Sequence, residues 1–540
     1  MSDYPYPGLR PFNRDETDIF FGREEQTDAL LDRLANNHFL AVVGLSGCGK
    51  SSLVKTGLLA GLESGFLSSA GVHWKIAELR PGHSPYTGLT NALMKDDVFG
   101  EEYNTFYSSM EEAAAFMLAG LRRGPFGLHE LLEDCPMKKG QNLLILVDQF
   151  EELFRFHRQI DSEESAAFVA LLIEASKHNN IYIVLTMRSD FLGECAIYAG
   201  LPEAINEGIF LTPRLSREQL RRAIEYPASV FGTKIDPVLV NKLLNDVGTE
   251  HDQLPLLQHV LLRMWETCEE GKDGVKFLSM KNYKKVGGFK DALSLHADMV
   301  FNQLGADQQK IAEKMFRGLC ERESEGRDTR RPLTIRTISQ LVDTSFIEVI
   351  RIIEKFRAPG KCFLMPPAGV ELKGNTIIDI SHESLIRQWK SLKSWTREEA
   401  ADAEMYRRVE NAALQWIDEK KKNKELLWTS KTLNNVKEWK HNFDPNELWA
   451  SWYGKNGTPG KSAPYFDDTI SFIEASSNHR KNKKLRDLAI FFIPLLIIFA
   501  VFFDNRQDDF KFLVFLGLGI SLVIWLLFRY CLAFYRVLFK

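Results

Sequence analysis

The sequence predicts an α/β fold, a parallel sheet with helices on both faces, continued by an almost wholly helical second half. Three observations carry that expectation. Short, uniformly apolar runs recur at His38–Val43, Asn142–Val147 and Ile181–Thr186, with helical segments between them, the pattern of strands buried on both faces. The first run passes straight into the glycine-rich Gly44-Leu-Ser-Gly-Cys-Gly-Lys-Ser51, which opens a helix reaching about Leu62. From about Pro213 the pattern turns helical, as in Ser216–Ile224 and Leu254–Trp265.

Taken in order, residues 1–20 are a lead segment and 21–210 the α/β domain, with a further strand expected at His73–Leu79 that closes on Arg80-Pro81-Gly82. Residues 211–290 read as a helical lid. Strand-like pieces return near Phe363 and at Thr376–Ile380, so 291–395 read as a winged helix. Residues 396–480 form a charged helical region, interrupted by the loop-like Gly454–Pro464. Residues 481–540 hold two charge-free runs, Leu488–Phe503 and Phe512–Phe528, separated by Asp504–Lys511.

Composition sets the frame. The chain has 540 residues, room for three or four domains at roughly 100–200 residues each. Hydrophobic residues make up 45% and charged residues 26%, an ordinary globular balance. A net charge of −4 offers no basic excess, so no nucleic-acid partner is expected. The 7 cysteines are scattered, with no metal-ligand spacing, and read as reduced thiols. No signal peptide opens the chain.

The chemistry is expected at the ends of the strands. Gly44–Ser51 fits G-x-x-x-x-G-K-[ST] in the context that motif requires, a buried strand before it and a helix after. Its glycines (Gly44, Gly47, Gly49) let backbone N–H groups curl around phosphates at a helix N-terminus. Lys50 is expected to reach the β- and γ-phosphates and Ser51 to hold Mg²⁺, with Ser46, Cys48 and Ser52 completing the loop. Cys48 reads as an inert small residue. Asp148 ends an apolar strand, where a carboxylate can serve the same Mg²⁺. The slot for a water-activating glutamate holds Gln149, so the base is Glu151 or Glu152, and hydrolysis is expected to be slow and regulatory. Arg188 closes the Ile181 strand, placed to sense a γ-phosphate.

These motifs, together with Tyr6–Phe12, Phe20–Glu24, Asp148–Phe154, Thr186–Leu192, Leu254–Gln258 and Ser381–Arg387, resemble in order the bacterial novel STAND NTPase family. The resemblance covers residues 4 to about 480. It implies that Phe21-Gly22-Arg23 cradles adenine, that Pro255 packs on the base from the lid, and that His382, beside Glu383, touches the β-phosphate of ADP and locks a resting state. Gln253 departs from the small residue relatives carry two positions before that proline. Arg327 and Asp328–Arg331 also match, without an assigned chemistry.

The charge-free runs are each shorter than the roughly 20 residues a spanning helix needs. With Arg480–Arg486 before them and Arg529, Arg536 and Lys540 after, they read as a two-pass hairpin in the bacterial inner membrane, both termini cytoplasmic. Pro494 is tolerable in such a helix, and Gly517 with Ser521 offers a packing face. The resulting expectation is a membrane-tethered signalling ATPase with ATP/ADP and Mg²⁺ as cofactors. ADP keeps it closed, and an unknown protein or phage-derived trigger admits ATP. The chain then forms a homo-oligomer, and its hairpins disturb membrane lipids in antiviral defence. The alternatives are a steadily turning-over, membrane-anchored remodelling ATPase and a non-catalytic nucleotide-binding scaffold.

Overall fold

Five strands, β1 (Phe39–Gly44), β2 (His73–Leu79), β3 (Gln141–Val147), β4 (Ile181–Arg188) and β5 (Ile209–Leu211), make one parallel sheet in the order β2-β3-β4-β1-β5. The computed structural model describes residues 3–504 other than 68–70, 83, 106, 249–251, 270–273 and 323–327. The alternation of side chains along a strand explains why β1 is apolar throughout. Leu40 and Val42 face a core with Leu34, Leu53, Val54 and Leu58, while Ala41 and Val43 face a second core with Leu89, Phe154, Phe168 and Leu172. Every strand register leads to one edge: Leu79 pairs with Val147, Val147 with Leu185, and Gly44 with Arg188. The phosphate-type loop, Asp148 and Arg188 therefore emerge side by side at the carboxyl end of the sheet, where open α/β sheets bind ligands.

β5 has only three residues and was not among the expected strands; it pairs with β1 from Ala41 to Val43. The helix after the loop is also less regular than expected. Lys50–Ser52 and Ala60–Glu63 are α-helical, with a π-helical stretch at Leu53–Leu59 between them. The lead segment is no loose tail. Tyr6, Leu9, Phe12 and Ile19 are buried, and the Tyr6 hydroxyl donates to the Ile224 carbonyl at 2.6 Å.

Helices Arg217–Val230, Pro237–Asp246, Gln253–Thr267, Met280–Lys285 and Gly288–Asn302 follow the sheet, around a core of Ile224, Leu239, Leu243, Leu257 and Leu261. A Ser216 capping box starts the first of them, and Asp236 caps the second through Val238 N–H. Next come helix Ala306–Gly318, the antiparallel pair Cys320–Arg322 and Asp328–Arg330, and helices Ile335–Leu341 and Phe346–Arg357. A three-stranded sheet closes this part, Leu333–Thr334 and Leu364–Met365 flanking Ile377–Ile380. The short helix Ser384–Gln388 leaves it, and Trp389, fully buried, packs on Phe316 and Phe356.

The chain divides into two compact units between Thr396 and Arg397. Within the second, Val409, Ala413, Leu433, Val436 and Phe472 form the core. The buried Glu399 there accepts from Trp449 Nε1 at 2.5 Å and from the Tyr453 hydroxyl at 2.9 Å.

The expectation of a two-pass protein in the bacterial inner membrane is overturned. Among the described residues no helix is long and apolar enough to cross a membrane. The run Leu488–Phe503 is the last part of helix Phe466–Asp504, a helix that also carries Arg480, Lys481, Lys483, Lys484 and Arg486. Its 16 residues from 488 to 503 would extend only about 24 Å against roughly 30 Å of hydrocarbon. The run Phe512–Phe528, with Gly517 and Ser521, lies outside the described residues, as does Arg327.

Candidate nucleotide site

The loop 45–49 is held open by two left-handed glycines, Gly47 at φ +70° and Gly49 at φ +94°. A Cβ on Gly47 would lie 2.6 Å from Asp252 Cα, so a side chain here would push away the start of helix Gln253–Thr267. Lys50 Nζ folds back onto the Gly44 and Leu45 carbonyls, 2.9 Å from each. Ser51 Oγ donates to Asp148 Oδ1 at 2.7 Å, and Ser52 Oγ accepts from Phe12 N–H at 3.2 Å. The Cys48 sulfur packs against Gly44, and its carbonyl accepts from Arg23 Nη2 at 2.8 Å. Arg23 Nη1 takes the Pro213 carbonyl at 2.8 Å. Its guanidinium thus braces the loop backbone, a different task from contacting a base. Gly22, at φ +86°, lets the chain pass so close to the Gln219 carbonyl that a Cβ would lie 2.4 Å from it.

Asp148 is fully buried. Burial alone would raise its pKa, but Lys55 and Arg80, with the Thr186 and Ser51 hydroxyls, bring it below the usual range. Thr186 Oγ1 and Ser51 Oγ both serve Oδ1, while Oδ2 has no hydrogen-bond partner among the described residues. Arg80 Nε stands 3.6 Å from that oxygen. Gln149 follows in a left-handed conformation, φ +59°, its N–H on Thr186 Oγ1 at 2.9 Å. Glu151 accepts from Arg188 N–H at 3.3 Å and Glu152 from Gly82 N–H at 3.1 Å. Burial raises both carboxyl pKa values, Glu152 to about 7.

A third wall, drawn from elements far away in sequence, closes over the loop. Ser46 Oγ lies 2.9 Å from Asp252 Oδ1 and 2.8 Å from Glu383 Oε2, one hydroxyl proton between two carboxylates. Three arginines balance the charge. Arg387 Nη1 donates to Asp252 Oδ2, and Glu383 Oε1 lies 3.6 Å from Arg330 Nε and 3.7 Å from Arg188 Nη1. Burial would raise the Glu383 pKa, but Arg330, His382 and Arg188 pull it well below the usual range. Arg330 also reaches Asp379 Oδ2 at 2.5 Å and Gln149 Oε1 at 2.8 Å. Burial lowers the pKa of His382, leaving it neutral near pH 7. Its Nδ1 accepts from Ser384 N–H at 3.1 Å, so the ring hydrogen belongs on Nε2, a donor on the cavity wall.

Between these walls lies a cavity of about 160 Å³. Phe12, Phe20, Phe21, Ala223, Leu254 and Pro255 line its apolar side, and Lys50, Arg80, Arg188, Arg330, His382 and Glu383 its charged side. Glu151 opens onto it and Glu152 does not. A cavity lined by both apolar and cationic side chains fits a nucleoside phosphate. The Ser51 hydroxyl with buried Asp148, whose Oδ2 makes no hydrogen bond among the described residues and is ion-paired to Arg80 and Lys55, is a donor set that suits a hard divalent cation. Sequence reasoning missed Asp252, Arg80 and Asp379 and gave Arg330 no task; only the fold brings them here.

A family model described as Novel STAND NTPase 1 matches residues 5–424. Solved structures similar to the chain include the ORC2 protein of Aeropyrum pernix in its ADPNP–ADP complexes, 14% identical, covering 74% of this chain and 97% of that one at a TM-score of 0.40. The Walker-type ATPase paby2304 of Pyrococcus abyssi is 13% identical over 71% and 99%, TM-score 0.34. CDC6p of Pyrobaculum aerophilum is 13% identical over 70% and 94%, TM-score 0.32. At those identities and scores they carry no weight below. No curated protein matches the chain.

Proposed function

The chain belongs to the novel STAND NTPase 1 family, and from that premise we propose that it is an ADP/ATP-gated signalling switch that hydrolyses ATP slowly and oligomerises when ATP replaces ADP. The observation that carries this reading is Ser46, a residue of the phosphate loop bonded at once to Asp252 of the helical lid and to Glu383, just after the strand Ile377–Ile380. A loop clamped from both sides is the arrangement a resting state needs, because nucleotide exchange then requires the clamp to open.

In this reading Lys50 and the loop amides hold the phosphates, and His382 donates from Nε2 to the terminal phosphate of ADP. Pro255 and Phe21 pack on the base. Ser51 and Asp148 would hold Mg²⁺, which supplies charge neutralisation between the phosphates when bound. Glu151 is the better candidate for the base, since it shares the cavity with Lys50 while Glu152 is engaged at Gly82. We read residues 291–395 as a winged helix, on helices Ala306–Gly318, Ile335–Leu341 and Phe346–Arg357 and the three-stranded sheet of Leu333–Thr334, Ile377–Ile380 and Leu364–Met365, acting as part of the clamp. No membrane step belongs to this proposal, and the antiviral setting loses the hairpin it leaned on.

The test is calorimetric. Lys50→Ala removes a charge-assisted donor worth about 1.5–3 kcal/mol, so nucleotide affinity is expected to fall roughly 10–150-fold with the fold intact. Unchanged affinity would remove the site assignment. Wild-type protein is expected to retain ADP through purification; steady turnover without retained ADP would instead favour a remodelling ATPase.

A further inference from the structure

We propose that Glu383 stands in for the third phosphate of a nucleoside triphosphate, so that the closed protein accepts a diphosphate and refuses a triphosphate until this carboxylate withdraws. The inference rests on the switch reading and adds to it the means by which the two nucleotides are told apart.

The first observation is place. Glu383 touches the phosphate loop itself through Ser46 Oγ at 2.8 Å, and it lines the same cavity as Lys50 and Arg188. A residue nearly 340 positions further along the chain has brought an anion onto a side chain of the phosphate-type loop, at the wall of the cavity where phosphate oxygens would bind.

The second observation is unfinished hydrogen bonding. Arg188 Nη2 is satisfied by Asp190 at 2.5 Å, yet Arg188 Nε is buried with no partner among the described residues. Arg330 has the same pattern: Nη1 goes to Asp379 and Nη2 to Gln149, while its buried Nε has no partner. Glu383 Oε1 lies between the two guanidiniums at 3.6 and 3.7 Å, close enough to neutralise them and too far for good hydrogen bonds. Buried donors left unmade are costly and uncommon. Arg330 through its unmade Nε and Arg188 through Nη1 thus face one carboxylate without a close hydrogen bond to it, and such a site suits an acceptor with more oxygens and more charge than a carboxylate has. A phosphoryl group has both.

The consequence is competition. A γ-phosphate and the Glu383 carboxylate seek the same cations, and two anions in one buried pocket repel each other strongly. Entry of a triphosphate therefore favours departure of Glu383. Glu383 leaves with its neighbours: His382 precedes it, and Arg387, one turn on, is tied to Asp252 of the lid. Expelling one side chain thus loosens the lid and the segment Ser381–Gln388 together. A diphosphate leaves the carboxylate where it is.

The experiment titrates full-length protein with ADP, ATPγS and ADP plus beryllium fluoride, a γ-phosphate-sized anion. Wild type is expected to prefer ADP. Glu383→Gln, which keeps shape and removes charge, is expected to raise affinity for ATPγS and for ADP with beryllium fluoride by roughly 5–150-fold, the usual range of a coupling between sites. Affinity for ADP alone is expected to hold or fall, because the same change weakens the clamp on Ser46, so the ratio of triphosphate to diphosphate affinity rises. Glu383→Asp, charged but withdrawn, should fall between. Ser46→Ala, which releases the carboxylate without altering any charge, gives the same direction if the Gln variant is poorly folded. Because the readout is a ratio of affinities, general loosening, which weakens all ligands together, overturns the proposal. So does an unmoved ratio. If wild type binds no ADP, the switch reading itself fails; if it binds ADP and the ratio stays put, only the role of Glu383 falls.

Discussion

At the scale of single residues, the site is a set of charges whose protonation is fixed by where the chain buries them. Glu152 is the clearest case. Its carboxyl follows Gln149, Phe150 and Glu151 out of the sheet edge, and burial pushes its pKa up to about 7 from 4.5. The raised value means that the folded protein binds this proton more tightly than the unfolded chain does. Its contribution to stability is full below about pH 4.5, falls as pH rises toward 7, and is lost above that. Glu152→Gln removes the penalty, so the variant is expected to be more stable than wild type at pH 8, on the order of 2 kcal/mol, and equal to it at pH 4.5. Denaturant melts at the two pH values check this; a gain at pH 4.5 as large as at pH 8 would contradict it. The residue-level reading of the sequence reaches only as far as the chemistry is local. Lys50, Ser51 and Asp148 announce themselves by spacing after an apolar strand. Asp252 and Arg80 have no such signature, because their roles exist only when three elements meet.

At the scale of elements, β1, β3 and β4 are legible because strands buried on both faces are apolar along nearly their whole length, and the edge strand β2 because Arg80-Pro81-Gly82 closes it. β5 is too short to carry any period, and the lead segment reads as polar and proline-rich although Tyr6 and Phe12 are buried. The pair Cys320–Arg322 and Asp328–Arg330 has no strand signature either, yet it delivers Arg330, which ties the strand Ile377–Ile380 to the edge of the parallel sheet. Arg330 joins Gln149 on the sheet side to Asp379 on the other, with Glu383 alongside. Arg330→Ala would leave Asp379 and Glu383 short of their counter-charge in a buried setting, where breaking one partner of a pair costs about 3–5 kcal/mol. Released ADP is therefore expected to appear faster, and the first melting transition to move down. Arg330→Lys keeps the charge and loses the fork, so it is expected to restore only part of the effect. Identical ADP release from the Ala variant and wild type would show that Arg330 and the strand Ile377–Ile380 do not hold the clamp.

At the scale of the whole molecule, the reading of the tail failed for a physical reason. A charge-free run says how apolar a stretch is, but not which helix it belongs to, and Leu488–Phe503 ends a helix that begins among charged residues at Phe466. What the molecule offers instead is a loop held shut from two directions, and this bears on assembly. If ATP opens the clamp, Asp252 and Glu383 lose their partner on the loop, Ser46, and the walls of the cavity separate. Newly exposed charged and apolar surface then needs a partner, and another open copy offers the complementary faces. Opening should persist only while ATP is intact, so a chain that binds but does not hydrolyse should accumulate the assembled form. Glu151→Gln, which keeps the hydrogen-bonding shape and removes the base, is expected to give a stable multiple of the chain mass with ATP and Mg²⁺ in light scattering. Wild type with ADP should remain a single chain, wild type with ATP should pass through the assembly transiently, and Lys50→Ala should never form it. A Glu151→Gln protein that binds ATP and still scatters as one chain across the accessible concentration range would separate nucleotide gating from assembly, and the oligomeric half of the proposal would be withdrawn.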